Sequence, residues 1–306
     1  MPGFLEPAQF VRDNFSMHRS WRRDESLAYT RWLATHHYEN FHIVSFLLPK
    51  NLHQDFYNVY SFCRWADDLG DEMGSREESL RLLTWWRSLT HAAFSGHTSH
   101  PVFTALFATI ERHSLPAEPF LDLITAFEQD QRITRYPNWD EVFAYCRYSA
   151  NPVGRLVLYL CGYRDVERQR LSDSTCTALQ LANFWQDVSV DWQKDRVYLP
   201  QDLLARHGSS DAEIAAGTPT PAFRAALREA VSVARARFHE GLPLARMVNR
   251  RLSLDLELFS RGGLKILDKI ESAGYDVLTA RPKISRSERV KLLMQGLLRW
   301  AVNRAA

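Results

Sequence analysis

Apolar residues recur at helical spacing along nearly the whole chain. No series of alternating strand-like runs and no Asn-Gly hairpin signal interrupts them. That pattern leaves an all-α fold. Helices are expected over about 25–38, 52–72, 76–94, 101–113, 117–132, 139–149, 153–162, 173–193, 221–246, 248–273 and 286–303. Pro49, Pro101, Pro116, Pro119, Pro137, Pro152, Pro200, Pro221 and Pro282 fall at the joints, because proline cannot continue a helix. Pro243 is the exception and is expected to kink or end the 221–246 segment. The one flexible stretch, Gly208 to Pro221, is too short for an interdomain linker, and no internal repeat is present. The economical organisation is one domain over 1–306. It carries an N-terminal extension over 1–24 and a basic amphipathic helix over 283–306.

Composition narrows the function. The apolar fraction of 45% supplies a substantial core in 306 residues. Lys+Arg of 38 against Asp+Glu of 36 gives no support to nucleic-acid binding. Cys63, Cys146, Cys161 and Cys176 form no Cys-x-x-Cys pair and read as reduced core thiols of a cytoplasmic protein. Residues 1–15 lack the apolar core of a signal peptide. No run reaches the ~18–20 apolar residues of a membrane span, so membrane contact is expected to be peripheral, at the inner face. The last helix, with Val290, Leu293, Met294, Leu297 and Ala301 on one face of a basic segment, is its candidate; packing on the core is the plainer alternative.

Two carboxylate clusters sit inside apolar, aromatic stretches, where an unpaired carboxylate is costly to bury. In the first, Arg64, Asp68 and Asp71 fall on one helical face, flanked by Asp67 and Glu72. Asp67 and Asp71 are four apart, so both can reach one divalent ion. Such spacing suits Mg²⁺, which prefers a few carboxylates, waters and phosphate oxygens. Arg64, one turn upstream, can contact the same phosphates as a fork donor. In the second, Gln180, Asn183, Asp187 and Asp191 step by 3, 4 and 4 along one narrow stripe. Lys194 and Arg196 follow and can neutralise a leaving diphosphate. The plainer alternatives are a solvated helix end closed by Gly70 and Gly74 for the first, and capping or inter-helix hydrogen bonds for the second. His36, His37 and His42 match no zinc spacing and read as ordinary histidines. Glu128, Asp130, Arg132 and Arg135 read as a solvated helix end, with a cavity rim as the alternative.

These residues resemble a known family. Ser45-Phe46-Leu47-Leu48-Pro49 with Tyr60-x-Phe62-Cys63-Arg64-x-x-Asp67-Asp68-x-x-Asp71-Glu72 resembles the first signature of the squalene/phytoene synthases. Gln180 through Asp191, followed by Arg196-Val197-Tyr198-Leu199-Pro200, resembles the second. Tyr145 to Gly154 and the stretch Gly262 to Pro282 are similar to its remaining patterns. Phe184-Trp185-Gln186-Asp187 looks like the bacterial hydroxysqualene synthase branch, since other branches more often place Arg before that Asp. Family members often have Arg at the position of His53, and some carry a tyrosine near Gly263.

The resemblance implies a single-domain isoprenoid synthase fold of the class I terpenoid synthase type, with the acidic faces opposed across a central cavity. It implies two or three Mg²⁺ ions with diphosphate, and no NADPH. The metal set would be Asp67, Asp68, Asp71, Glu72, Asn183, Asp187 and Asp191; the diphosphate set Ser45, Phe46, Arg64, Lys194, Arg196 and Tyr198. Tyr145, Tyr148, Gln180 and Asn183 are the candidates for work on the carbocation and its capture. The implied substrate is presqualene diphosphate, and the implied product hydroxysqualene. A first-step synthase joining two prenyl diphosphates to presqualene diphosphate, squalene or phytoene is the alternative activity. A helical binding module without chemistry is the alternative class.

Overall fold

The computed structural model describes residues 3–36 and 49–302. Every regular element among them is helical, apart from an isolated parallel bridge between Arg135 and Val197. The chain divides into two compact units, Met1–Arg132 with Arg155–Arg164, and Ile133–Gly154 with Asp165–Ala306.

In the first unit, short helices Pro7–Phe10 and Asn14–His18 precede five longer ones. These are α1 (Arg23–His36), α2 (His53–Asp71), α3 (Arg76–Phe94), α4 (Pro101–His113) and α5 (Glu118–Asp130). The hub is α2, which packs against the other four. Its apolar face presents Phe62, Trp65 and Leu69, all fully buried. Trp65 stacks on Trp86 at 5.0 Å, and Phe62 meets Phe120 edge-on at 4.9 Å. Such rings bury the largest areas in a core, so they set how α2 is rotated. His100 lies edge-on to Trp65 at 4.4 Å and accepts the Val102 N–H on Nδ1 at 3.3 Å, capping α4. Burial pushes its pKa well below the ordinary histidine value, so it is a neutral cap.

The second unit contains α6 (Trp139–Ser149), the start of α7 (Asn151–Leu160), α8 (Val166–Gln186) and α9 (Val188–Trp192). It continues with α10 (Pro221–Gly241), α11 (Arg250–Ser272) and α12 (Arg286–Val302). The central pair is α8 with α10. They approach closely because the contact residues are small: a Cβ on Gly241 would strike Thr175 and come within 3.0 Å of the Leu171 carbonyl. Trp185 reaches across and donates to the Ala230 carbonyl at 3.1 Å.

Three expectations are corrected. The 173–193 segment is not one helix: α8 starts at Val166 and the chain breaks at Asp187 before α9. The 221–246 segment does end near Pro243 as expected, but its α-helix stops at Gly241 and a 3-10 turn follows over Leu242–Arg246. Within the stretch read as flexible, Asp211–Ala215 is helical, because Ser210 and Glu213 form a reciprocal capping box. The 1–24 extension also contains helical turns. No helix among the described residues is long and apolar enough to cross a membrane.

Candidate active site

The first half is built entirely on α2. Its N-terminal end is fixed by Asp55, which is 2% exposed and accepts from Thr109 at 2.8 Å, Arg112 at 3.0 Å and His113 at 3.1 Å. One turn on, buried Asn58 bridges Thr30 of α1 and the Ala105 carbonyl of α4. Its C-terminal end is fixed through the Gly70 carbonyl, which accepts from Ser79 at 3.2 Å and Gln131 at 2.9 Å. Gly70 does not terminate the helix. A Cβ there would press on Phe127 at 3.3 Å, so glycine permits the approach of α5. Both ends held, α2 presents one polar edge.

On that edge the acidic residues separate by environment. Asp68 turns inward, is 3% exposed, and pairs with Arg64 at 2.5 Å. Arg64 also approaches Asp67 and Glu72, each at 3.8 Å. Asp67 is half-exposed; Asp71 and Glu72 are exposed. Asp67, Asp71 and Glu72 thus face solvent, Asp67 and Asp71 one turn apart, with Arg64 held beside them by a buried counter-charge. Burial raises the pKa of neighbouring Tyr60 and pushes the Cys63 thiol up to about 12, so neither is an anion here.

The second half lies at the α8–α9 junction. Asp187 ends α8 and its carbonyl accepts the Val190 and Asp191 N–H groups at 2.8 Å, restarting the helix as α9. Asp191 closes the next turn: its carbonyl accepts from Lys194 and Arg196, both at 2.9 Å. The sharp return is made by Asp195 in the left-handed region, φ 58°, whose carbonyl accepts from Arg135 at 2.6 Å. Arg135 also pairs with Asp211 at 2.5 Å, so it is a structural tie in this unit rather than part of a solvated helix end. The fold-back sets Lys194 and Arg196 directly after Asp191 in one tight turn. Asn183 is exposed, Gln180, Asp187 and Asp191 are half-buried, and Lys194 is exposed.

Tyr145 and Tyr198 are buried in an aromatic cluster. Tyr198 stacks on Phe184 with centroids 3.7 Å apart, and Tyr145 contacts Phe184, Tyr136 and Tyr198. Tyr148 is half-buried and accepts from Arg147 at 3.3 Å. Below Gln180, Thr177 donates to buried Asn151 at 3.0 Å. A side chain is absent at Gly263 because the Phe238 ring fills that position. Ser45 and Phe46, with His37 and His42, lie outside the described residues.

One participant was not singled out from sequence. Arg281, in the segment between α11 and α12, forms a two-point ion pair with Asp187, Nε to one oxygen and Nη2 to the other at 3.0 Å. Next to it, Gln186 donates to the Pro282 carbonyl at 2.5 Å. Only a contact distant in sequence could reveal this residue.

Among the described residues no three His, Cys, Asp or Glu side chains converge as a metal-binding group. Each half offers instead two carboxylates one turn apart. Such a donor set fits an ion that completes its shell with water and polyanion oxygens, as Mg²⁺ does.

Comparison with known proteins shows the family. The squalene/phytoene synthase family model matches residues 34–288. Phytoene synthase of Thermus thermophilus is 33% identical over 263 residues, covering 86% of this chain and 89% of its own. Hydroxysqualene synthase of Rhodopseudomonas palustris is 32% identical over 242 residues, covering 78% and 81%. The crystal structure of squalene synthase HpnC from Alicyclobacillus acidocaldarius is 43% identical with a TM-score of 0.79, covering 82% of this chain and 95% of that one.

Proposed function

The chain belongs to the squalene/phytoene synthase family, and from that premise we propose that it converts presqualene diphosphate and water to hydroxysqualene and diphosphate. We take 1–306 as one catalytic domain. The observation that carries the chemistry is a pair of carboxylates one turn apart in each acidic cluster, Asp67 with Asp71 and Asp187 with Asp191. Asp67 and Asp71, and Asn183, Asp187 and Asp191, would hold two or three Mg²⁺ ions together with the substrate diphosphate. Bound there, the ions supply stabilisation of the negative charge that develops on the leaving group.

The chain's own residues do the rest. Arg64, Lys194 and Arg196 hold diphosphate oxygens as fixed cations. The carbon–oxygen bond breaks with both electrons passing to diphosphate. We assign the ring face of Tyr145 to the resulting carbocation, a contact worth about 0.5–2 kcal/mol. A water oxygen forms the new carbon–oxygen bond, and its proton passes to the released diphosphate. We assign the orienting of that water to Gln180, Asn183 and Tyr148. No hydride donor enters the balance, so NADPH is not required.

Gln186 ahead of Asp187 supports this branch, as do the 43% identity to squalene synthase HpnC and the hydroxysqualene synthase relative. The phytoene synthase relative supports a second reading, joining of two prenyl diphosphates. Peripheral contact with the inner face of the membrane, where such a substrate resides, is supported by α12. It exposes Val290, Leu293 and Met294 beside exposed Arg286, Arg289 and Lys291.

The test is product analysis from presqualene diphosphate with Mg²⁺ in ¹⁸O water, with and without NADPH, for the parent and for Asp71→Asn and Asp187→Asn. Labelled alcohol from the parent, independent of NADPH and lost in both variants, is expected. Squalene formed only with NADPH would replace this reading with a reducing synthase.

A further inference from the structure

The segment joining α11 to α12 is fastened at both ends and clasped in the middle. At its start, Asp276 accepts the Thr279 N–H at 3.1 Å and pairs with Arg224 of α10 at 3.3 Å, over buried Val277 and Leu278. At its end, Ser285 and Glu288 cap α12, and Glu288 pairs with Lys269 of α11 at 3.0 Å. Between these anchors Thr279, Ala280, Arg281 and Lys283 are all exposed, and no fully buried side chain holds the span. What joins it to the second carboxylate set is the Gln186–Pro282 hydrogen bond and the ion pair from Arg281 to both oxygens of Asp187.

Asp187 is thus already neutralised by a cation that belongs to the chain. With one lone pair of each oxygen taken by the guanidinium fork, only the outer lone pairs of Asp187 remain for a metal ion. A divalent ion and Arg281 also repel each other at that distance. We propose that Arg281 is a built-in counter-cation of the second carboxylate set, which a divalent ion must displace from Asp187, so that metal loading releases the 279–284 strap. This rests on Asp187 being a metal ligand, as argued above. The arrangement keeps the carboxylate oriented and its charge compensated until metal and diphosphate arrive together. It also couples loading to the movement of a strap that carries two cations, Arg281 and Lys283.

The displacement is testable without turnover. Mn²⁺ binding to the full chain is followed by electron paramagnetic resonance of free Mn²⁺, with and without inorganic pyrophosphate. Arg281→Gln should tighten Mn²⁺ binding without pyrophosphate by about tenfold, since one unit charge leaves contact with the site. The gain should vanish in Asp187→Asn/Arg281→Gln. In the parent, Mn²⁺ with pyrophosphate should speed hydrogen exchange of the amides over 279–284 and leave those of α10 unchanged. If Asp187→Asn leaves Mn²⁺ binding intact in every background, Asp187 is not a ligand and the underlying reading fails. If Asp187→Asn removes a site while Arg281→Gln leaves affinity unchanged or weaker, the counter-cation proposal alone is overturned. Unchanged or slower exchange of 279–284 on loading overturns it as well.

Discussion

Asp255 offers a stability prediction with a definite sign. It lies on α11, is 1% exposed, and neither carboxylate oxygen has a hydrogen-bond partner among the described residues. Burial pushes its pKa from the ordinary 3.8 up to about 8. Below pH 3.8 the carboxyl is protonated in both folded and unfolded chains and costs nothing extra. As pH rises towards 8 the unfolded chain releases the proton while the native state keeps it. Stability therefore falls with rising pH, by about 1.4 kcal/mol per unit. From pH 4 to pH 7 the loss is on the order of 4 kcal/mol. Asp255→Asn removes this dependence, although an unbonded buried amide still costs about 1–3 kcal/mol. The variant should be roughly 1–3 kcal/mol less stable than the parent at pH 4 and roughly 1–3 kcal/mol more stable at pH 7. Urea unfolding of both proteins at pH 4, 5, 6 and 7 measures it, and other titrating groups cancel in the difference. A difference that stays constant across this range would show that Asp255 is ionised in the native state, and the reasoning would be wrong.

Three further outcomes follow from particular contacts. Arg64→Leu removes the guanidinium from buried Asp68 and should destabilise the fold by about 3 kcal/mol, whereas Asp67→Asn, half-exposed, should move stability by under about 0.5 kcal/mol; urea midpoints separate the two. Gly154→Ala should destabilise measurably, because its Cβ would collide with the Ser172 hydroxyl and the Cys176 thiol. A melting temperature equal to the parent would show that α7 and α8 can separate at no cost. Val290→Glu/Met294→Glu should weaken sedimentation with anionic vesicles and leave solution turnover of detergent-dispersed substrate unchanged. Equal sedimentation would leave α12 without a membrane role.

Much of the helix plan was legible because this chain marks its joints chemically. Asn138, Asp165, Thr220 and Asn249 each cap the helix that follows, and proline stands at the joints. The four-residue spacing of Asp67 with Asp71 also survives, since it depends on helix geometry alone. The division of labour between Asp67 and Asp68 was not legible. Adjacent carboxylates differ by one position on the helix, and only the rotation set by Trp65, Phe62 and the Asp55 anchor turns one inward. The break at Asp187 was hidden for a related reason: Val188 to Trp192 has good helical pattern on both sides of it. Asp255 reads from sequence as an ordinary acid near a helix start, and its burial comes from the helices packed around it. Arg281 is ninety-four positions from Asp187, so no local pattern could pair them.

Whether this chain consumes presqualene diphosphate or makes it is decided by substrate competition. Purified protein with Mg²⁺ is given equimolar presqualene diphosphate and farnesyl diphosphate, and both are followed by mass spectrometry. Presqualene diphosphate is expected to disappear as hydroxysqualene and diphosphate form, while farnesyl diphosphate persists. Loss of farnesyl diphosphate with accumulation of presqualene diphosphate or phytoene-type hydrocarbon would contradict it.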